Sequence, residues 1–194
     1  MSCKTSRLLI LALVSLAWLG CARDIADLPV RFEQVCVACQ HPACETPLHL
    51  TYLGSGGLLM RRGGDEIATG PFFSNFGFLE TGLSRIAADE EAIRRHMPER
   101  PDVRAILVGH AHYDHLIDVP TVVTYKTPKA IVYASESARN MLASLEPPLP
   151  IVAVDDRAWS PGEPEQWIRI PETNVFVLPI TSEHAPHLFG IKLM

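Results

Sequence analysis

Apolar residues are spread unevenly along the chain. A run of mostly apolar residues fills positions 8–19, and a stretch with no strong period and several prolines follows to position 47. From there, short apolar segments alternate with amphipathic ones. Residues 48–53 (LHLTYL) contain the β-favouring Thr51 and Tyr52 and predict a strand. Gly54-Ser55-Gly56-Gly57 predicts a tight turn, and residues 58–60 restart a strand. Arg61-Arg62-Gly63-Gly64 predicts a second turn before a short strand at 66–69, so the segment opens as a meander. Residues 83–97 carry Leu83, Ile86, Ile93 and Met97 on one helical face, with Ser84 as cap and Pro98 as stop. Residues 103–108 (VRAILV) form a continuous apolar run, as in a strand covered on both faces. A strand at 130–134, a helix at 135–145 capped by Ser135 and closed by Pro147-Pro148, and strands at 151–154, 167–170 and 175–180 complete the series. This order predicts an α/β layered domain. There is no internal repeat and no low-complexity tract.

Residues 1–21 read as an address. Lys4 and Arg7 precede the apolar run, no acidic residue occurs before Asp24, and the run is too short for a comfortable membrane span. It ends in Leu19-Gly20-Cys21, which resembles a bacterial lipoprotein cleavage site with Cys21 as the lipidated residue. Ordinary cleavage after Ala22 and an uncleaved anchor are the alternatives. The chain is therefore expected outside the cytoplasm, as a membrane lipoprotein facing the periplasm or as a periplasmic or secreted protein. Residues 22–47 are expected to be a tether and 48–194 the folded domain. In an oxidising compartment, Cys36, Cys39 and Cys44 read as one disulfide with one thiol left over. Free thiols, or a structural metal with His41, are the other possibilities.

A length of 194 residues allows one domain with a real core but not two large ones. The net charge of −5 argues against nucleic acid as a partner, because phosphate binding wants a basic face. The glycine cluster at 54–57 lacks the Lys-Ser/Thr of a phosphate loop, and no helix follows it.

The chemistry follows the VRAILV strand. Residues 109–115 read Gly-His-Ala-His-Tyr-Asp-His, three histidines and a carboxylate on one loop. Imidazole nitrogen and carboxylate oxygen suit zinc, with manganese or iron as rarer choices. His110 and His112 are two apart, so in extended backbone their side chains point the same way and can meet one ion. Asp114 and His115 follow as the chain turns and could face a second.

This stretch resembles the His-x-His-x-Asp-His signature of the metallo-β-lactamase fold superfamily, with His110, His112, Asp114 and His115 at every motif position. The resemblance covers most of the chain from about Leu48 to Met194. The flanks LTYLGSGGLLMRRGGDEIATGPFFS and GHAHYDHLIDVP are similar to the lactonase and phosphodiesterase branch, which includes ascorbate-6-phosphate lactonase-like and N-acyl-phosphatidylethanolamine phospholipase D-like enzymes. The resemblance implies an αββα sandwich of which this chain supplies the N-terminal part. It implies one or two zinc ions, the first held by His110, His112 and a third histidine on a later loop. His184, in a His-x-Pro context after a strand, matches that ligand, and His187 is the alternative. Asp114 and His115 would hold part of a second ion, and Asp114 would orient the attacking hydroxide. The implied activity is hydrolysis of a small-molecule or lipid-like ester, whether phosphodiester or lactone. The alternative is a truncated, inactive metal-binding lipoprotein.

Two departures from the family pattern stand out. The family often carries an Asp-Pro pair after the early meander, whereas this chain has Gly70-Pro71. The family also supplies a bridging aspartate, a last histidine and a second sheet from a C-terminal half beyond residue 194. The 194-residue form therefore reads as a fragment, or as a compact variant completed by a homodimer. An uncovered sheet face would favour association.

Overall fold

The computed structural model describes residues 46–182. The address segment with Cys21, most of the expected tether, Cys36, Cys39, His41, Cys44, His184, His187 and the strand beginning at 189 lie outside the described residues. Within them, no helix is long and apolar enough to cross a membrane.

The meander forms, with its second turn shorter than expected: Arg61 and Arg62 extend the second strand and only Gly63-Gly64 turn. β1 (His49–Tyr52), β2 (Leu58–Arg62) and β3 (Asp65–Thr69) pair antiparallel, with Leu50 opposite Met60 and Leu59 opposite Ala68. β4 (Ala105–Leu107), β5 (Ile131–Ala134) and β6 (Ile151–Ala153) then add in parallel, giving one six-stranded sheet in sequence order. β1 and β3 run the same way, each being antiparallel to β2. The C-terminal ends of β1, β3, β4, β5 and β6 therefore share one edge.

The helices differ more from the sequence expectation. The expected helix at 83–97 is two helices, α1 (Phe78–Leu83) and α2 (Glu90–His96). Ile93 and Met97 are buried as their spacing predicts, but Leu83 is 82% exposed. The cause is a competing cap. Asp89 accepts a hydrogen bond from the Ala92 N–H, and its own N–H donates to Ser74 Oγ at 2.6 Å, so the helix starts there and not at Ser84. α3 (Tyr113–Leu116) and α4 (Val119–Tyr125) form where no helix was expected. The β-branched run VPTVVTY hides its helical character, yet Pro120 suits the first turn and Val119, Val122 and Val123 all reach the core. α5 (Glu136–Leu142) is capped by Ser135, as the sequence indicates.

Helices α2 to α5 cover one sheet face. Leu59, Ala68, Ile106 and Val132 from the strands pack there with Ile93, Met97, Leu116, Val119, Val122 and Ala138. The other face, expected to lie open, is covered at its centre by a hairpin of β7 (Ile168–Arg169) and β8 (Phe176–Val177). Ile168 and Ile170 pack with Ile67, Ala105 and Tyr133 in a second buried cluster. Burial raises the phenol pKa of Tyr133. The hairpin is tied down by polar contacts: Arg104 pairs with Glu172 at 2.9 Å, and Asn174 N–H donates to Asp65 Oδ2 at 3.2 Å.

Ile106 lies at the centre of the sheet with no exposed surface, whereas Val152 on the outer strand is 41% exposed. Ile106→Ala is expected to lower unfolding stability by about 2–5 kcal/mol through lost burial and a residual cavity. Val152→Ala should cost about 0.5 kcal/mol or less. Urea unfolding of both variants checks this.

Candidate metal centre

The histidine loop leaves the C-terminal end of β4. Val108 N–H donates to the Tyr133 carbonyl and Gly70 N–H to the Leu107 carbonyl, so the strand keeps its partners up to the point where the loop begins. The chain bends at Gly109-His110, and His112, with extended backbone, immediately precedes the one-turn helix α3, which carries Asp114 and His115. The two-residue spacing brings the first pair together. His110 Nε2 and His112 Nδ1 are 3.0 Å apart, with ring centroids 4.4 Å apart and nearly perpendicular. The His115 ring lies 4.5 Å from that of His110. Its Nε2 is 3.5 Å from Asp114 Oδ2, which also accepts a hydrogen bond from Ser55 Oγ at 3.0 Å. All four motif side chains are partly buried.

The donor chemistry fits a divalent cation in part. Two nitrogens bound tetrahedrally to zinc at about 2.0–2.1 Å would sit about 3.3 Å apart, close to the His110–His112 separation. Among the described residues, no group of three or more His, Cys, Asp or Glu side chains is placed to hold an ion. His184 and His187, the candidates for a third nitrogen, lie outside them. Asp114 and His115 stand beside the histidine pair, and the Asp114 carboxylate is drawn to the β1–β2 turn by Ser55.

The loop is seated by a residue that the motif does not include. Asp118 is fully buried. Its Oδ2 accepts from Phe73 N–H at 2.5 Å and Ser74 N–H at 2.9 Å, and its Oδ1 accepts from the Ser74 hydroxyl at 2.5 Å. The signal was present in the sequence as a carboxylate between apolar neighbours in LIDVP, where an acidic residue survives only with partners. Beside it, Phe72, Phe76 and Tyr113 meet as a triangle of rings with centroids 6.0 to 6.2 Å apart. Tyr113 is 41% exposed and packs edge-on against Phe72.

Gly70 explains how the loop can lie so close to β3. A Cβ at this position would stand 2.6 Å from the His115 carbonyl oxygen. No side chain fits there while the backbones keep these positions, so a carboxylate at residue 70 is incompatible with the loop as it lies.

Residues 78–191 match a family profile described as a beta-lactamase superfamily domain, a span that contains the histidine loop and more than half of the chain. The chain belongs to the beta-lactamase superfamily. The central sheet with its helices matches a metallo-β-lactamase-type fold. Among solved structures, this beta-lactamase superfamily chain is similar to the hydrolase AbOPH of the same superfamily. Identity there is 16% and the TM-score 0.30, over 50% of this chain and 29% of that one. It is also similar to a Cronobacter sakazakii metallo-beta-lactamase with a HARLDQ motif, at 16% identity and TM-score 0.33, over 64% of this chain and 45% of that one. The chain thus spans less than half the length of either structure. No curated protein matches it at a significant level.

Two substitutions test how the loop is held. Asp118→Ala leaves the buried Ser74 N–H and hydroxyl and the part-buried Phe73 N–H without their acceptor. It is expected to cost about 3 kcal/mol or more in urea unfolding, with Asp118→Asn less damaging because one acceptor oxygen remains. Gly70→Ala should destabilise the chain by about 1–3 kcal/mol through the clash with the His115 carbonyl. It should also shift the His110, His112 and His115 ring resonances in an NMR spectrum, whereas Gly64→Ala, with open space at its Cβ, should leave them in place.

Proposed function

We propose that this domain is a metal-dependent hydrolase acting on a phosphodiester, a lactone or a related ester. The observation that carries this reading is the facing pair His110 Nε2 and His112 Nδ1, on a loop that adds Asp114 and His115 at the C-terminal edge of the parallel strands. In open α/β sheets, ligands bind at that edge.

In this reading His110 and His112 hold the first ion together with His184, and Asp114 with His115 contributes to a second. Zinc is the ion that the donor set suits best. When bound, it supplies Lewis acidity and a water-derived nucleophile near neutral pH. The chain's own groups do the rest. Asp114 accepts a hydrogen bond from the attacking water and orients it toward the phosphorus or carbonyl centre. The imidazoles keep their donor atoms fixed because the loop is anchored at Asp118. No serine or cysteine nucleophile is required. The N-terminal pattern supports an exported enzyme anchored through a lipid on Cys21, with small or lipid-like esters in reach and no nucleic-acid partner.

Elemental analysis and cobalt(II) titration of the full chain test the proposal. One or two bound ions are expected, with affinity lowered at least about 100-fold in His110→Ala. Turnover of a panel of chromogenic phosphodiesters and lactones should be abolished by Asp114→Asn. Absence of bound metal in a folded wild-type chain overturns the hydrolase reading. Metal without turnover of any substrate class favours the inactive metal-binding lipoprotein.

A further inference from the structure

Three consecutive positive-φ residues close the turn between β1 and β2, and one of them is not a glycine. Gly54 and Gly56 have φ of +89° and +85°, where glycine is at ease. Ser55 between them has φ of +40°, a left-handed conformation that a residue with a Cβ adopts at a cost. Glycine would be the cheaper residue here. A strained non-glycine residue persists when its surroundings require it, and such residues cluster at functional sites.

The Ser55 side chain has one partner in view. Its hydroxyl donates to Asp114 Oδ2 at 3.0 Å, across 59 positions of sequence. The turn does not depend on this bond. Leu53 N–H donates to the Gly57 carbonyl at 2.8 Å. Leu58 N–H donates to Thr69 Oγ1 at 2.7 Å, and the Thr69 hydroxyl donates to the Gly56 carbonyl at 3.0 Å. With the turn pinned by these contacts, the effect of the Ser55 hydroxyl falls on the carboxylate. The bond holds one oxygen of the Asp114 carboxylate, the oxygen that also faces His115 Nε2 at 3.5 Å, and so restrains its side-chain torsions. The other nearby loop, at Gly70, has no room for a side chain that could do the same.

We infer that Ser55 is the positioning residue for Asp114, holding the carboxylate in the orientation in which it serves the ion and the attacking water. This inference rests on the metallo-hydrolase reading above. It makes the strained turn part of the site, although the turn lies outside the span that matches the family profile.

The test sets stability against metal binding. Ser55→Gly removes the hydroxyl and relieves the backbone, so its thermal midpoint should equal or exceed that of the wild type. Its cobalt(II) affinity should nevertheless fall about 10–100-fold, the range typical of lost groups behind a metal ligand. The visible bands of the bound cobalt should change as well. Ser55→Asn keeps a donor and tolerates the left-handed conformation, and should restore affinity to within a few-fold. A Ser55→Gly variant that binds cobalt as the wild type does overturns the role of Ser55 alone. So does a loss of affinity that tracks a loss of stability and is not restored by asparagine. A wild-type chain that takes up no cobalt overturns the metallo-hydrolase reading and this inference with it.

Discussion

The arrangement of this site depends on one buried carboxylate. Asp118 has no exposed surface, and among the described residues no cationic side chain pairs with it; its oxygens are met by dipoles. The donors come from Phe73 and Ser74, in the segment that leaves β3, while Asp118 itself stands between the two helices that leave β4. Ser74 passes the network on by accepting from the N–H of Asp89, which caps α2. Three chain segments far apart in sequence are thus fixed to one group. Burial makes each bond costly to lose, because a donor left unpaired there has no water to replace its partner. The histidine loop lies between β4 and this knot, so its backbone is held at both ends.

Topology supplies the rest of the placement. The antiparallel meander makes β1 run with β3, and the parallel strands continue that direction, so the β1–β2 turn, the segment after β3 and the loop after β4 emerge at one edge. Residues 55, 70 and 110–115 meet there because strand direction leaves them no other edge. The second face of the sheet is treated differently. A two-stranded hairpin buries Ile67, Ala105 and Tyr133, and thereby covers the centre of a surface that would otherwise promote association.

Much of this was legible in the sequence because the strands are announced by turn residues and short apolar runs. VRAILV, AIVYA and the glycine turns mark their elements to within a residue or two, and His-x-His-x-Asp-His marks the loop by composition alone. The helices were harder to read for a physical reason. α4 is built from Val and Thr, whose intrinsic preference favours strands, and tertiary burial of Val119, Val122 and Val123 overrides it. The helix expected at 83–97 starts late because Asp89 is claimed by Ser74, a contact across 15 residues that no local pattern contains. Ser55 belongs to the same class: its residue type is ordinary, and the partner of its hydroxyl is brought near only by the fold. Asp118 left a trace as a carboxylate among apolar neighbours, but not the identity of its partners.

The two loops that face His115 divide a single task between them. At Gly70 the backbone comes so close to the His115 carbonyl that a Cβ would stand 2.6 Å from it, and this closeness seats the loop while removing any side chain from that side. On the side of the β1–β2 turn the packing is looser: a Cβ on Gly56 would lie 3.7 Å from His115 Cε1, an ordinary contact distance. The hydroxyl that bonds Asp114 comes from that turn, beside the His115 imidazole 3.5 Å from the same oxygen. Within the turn, a Cβ on Gly54 would strike the Phe72 carbonyl at 2.2 Å, and one on Gly57 would strike the carbonyls of Gly54 and Gly70. Ser55 carries the turn's side chain, and it does so at a backbone angle that glycine would occupy more cheaply. The tight approach at Gly70 and the left-handed Ser55 thus bound the His115–Asp114 corner from two sides, one by backbone alone and one by a hydroxyl.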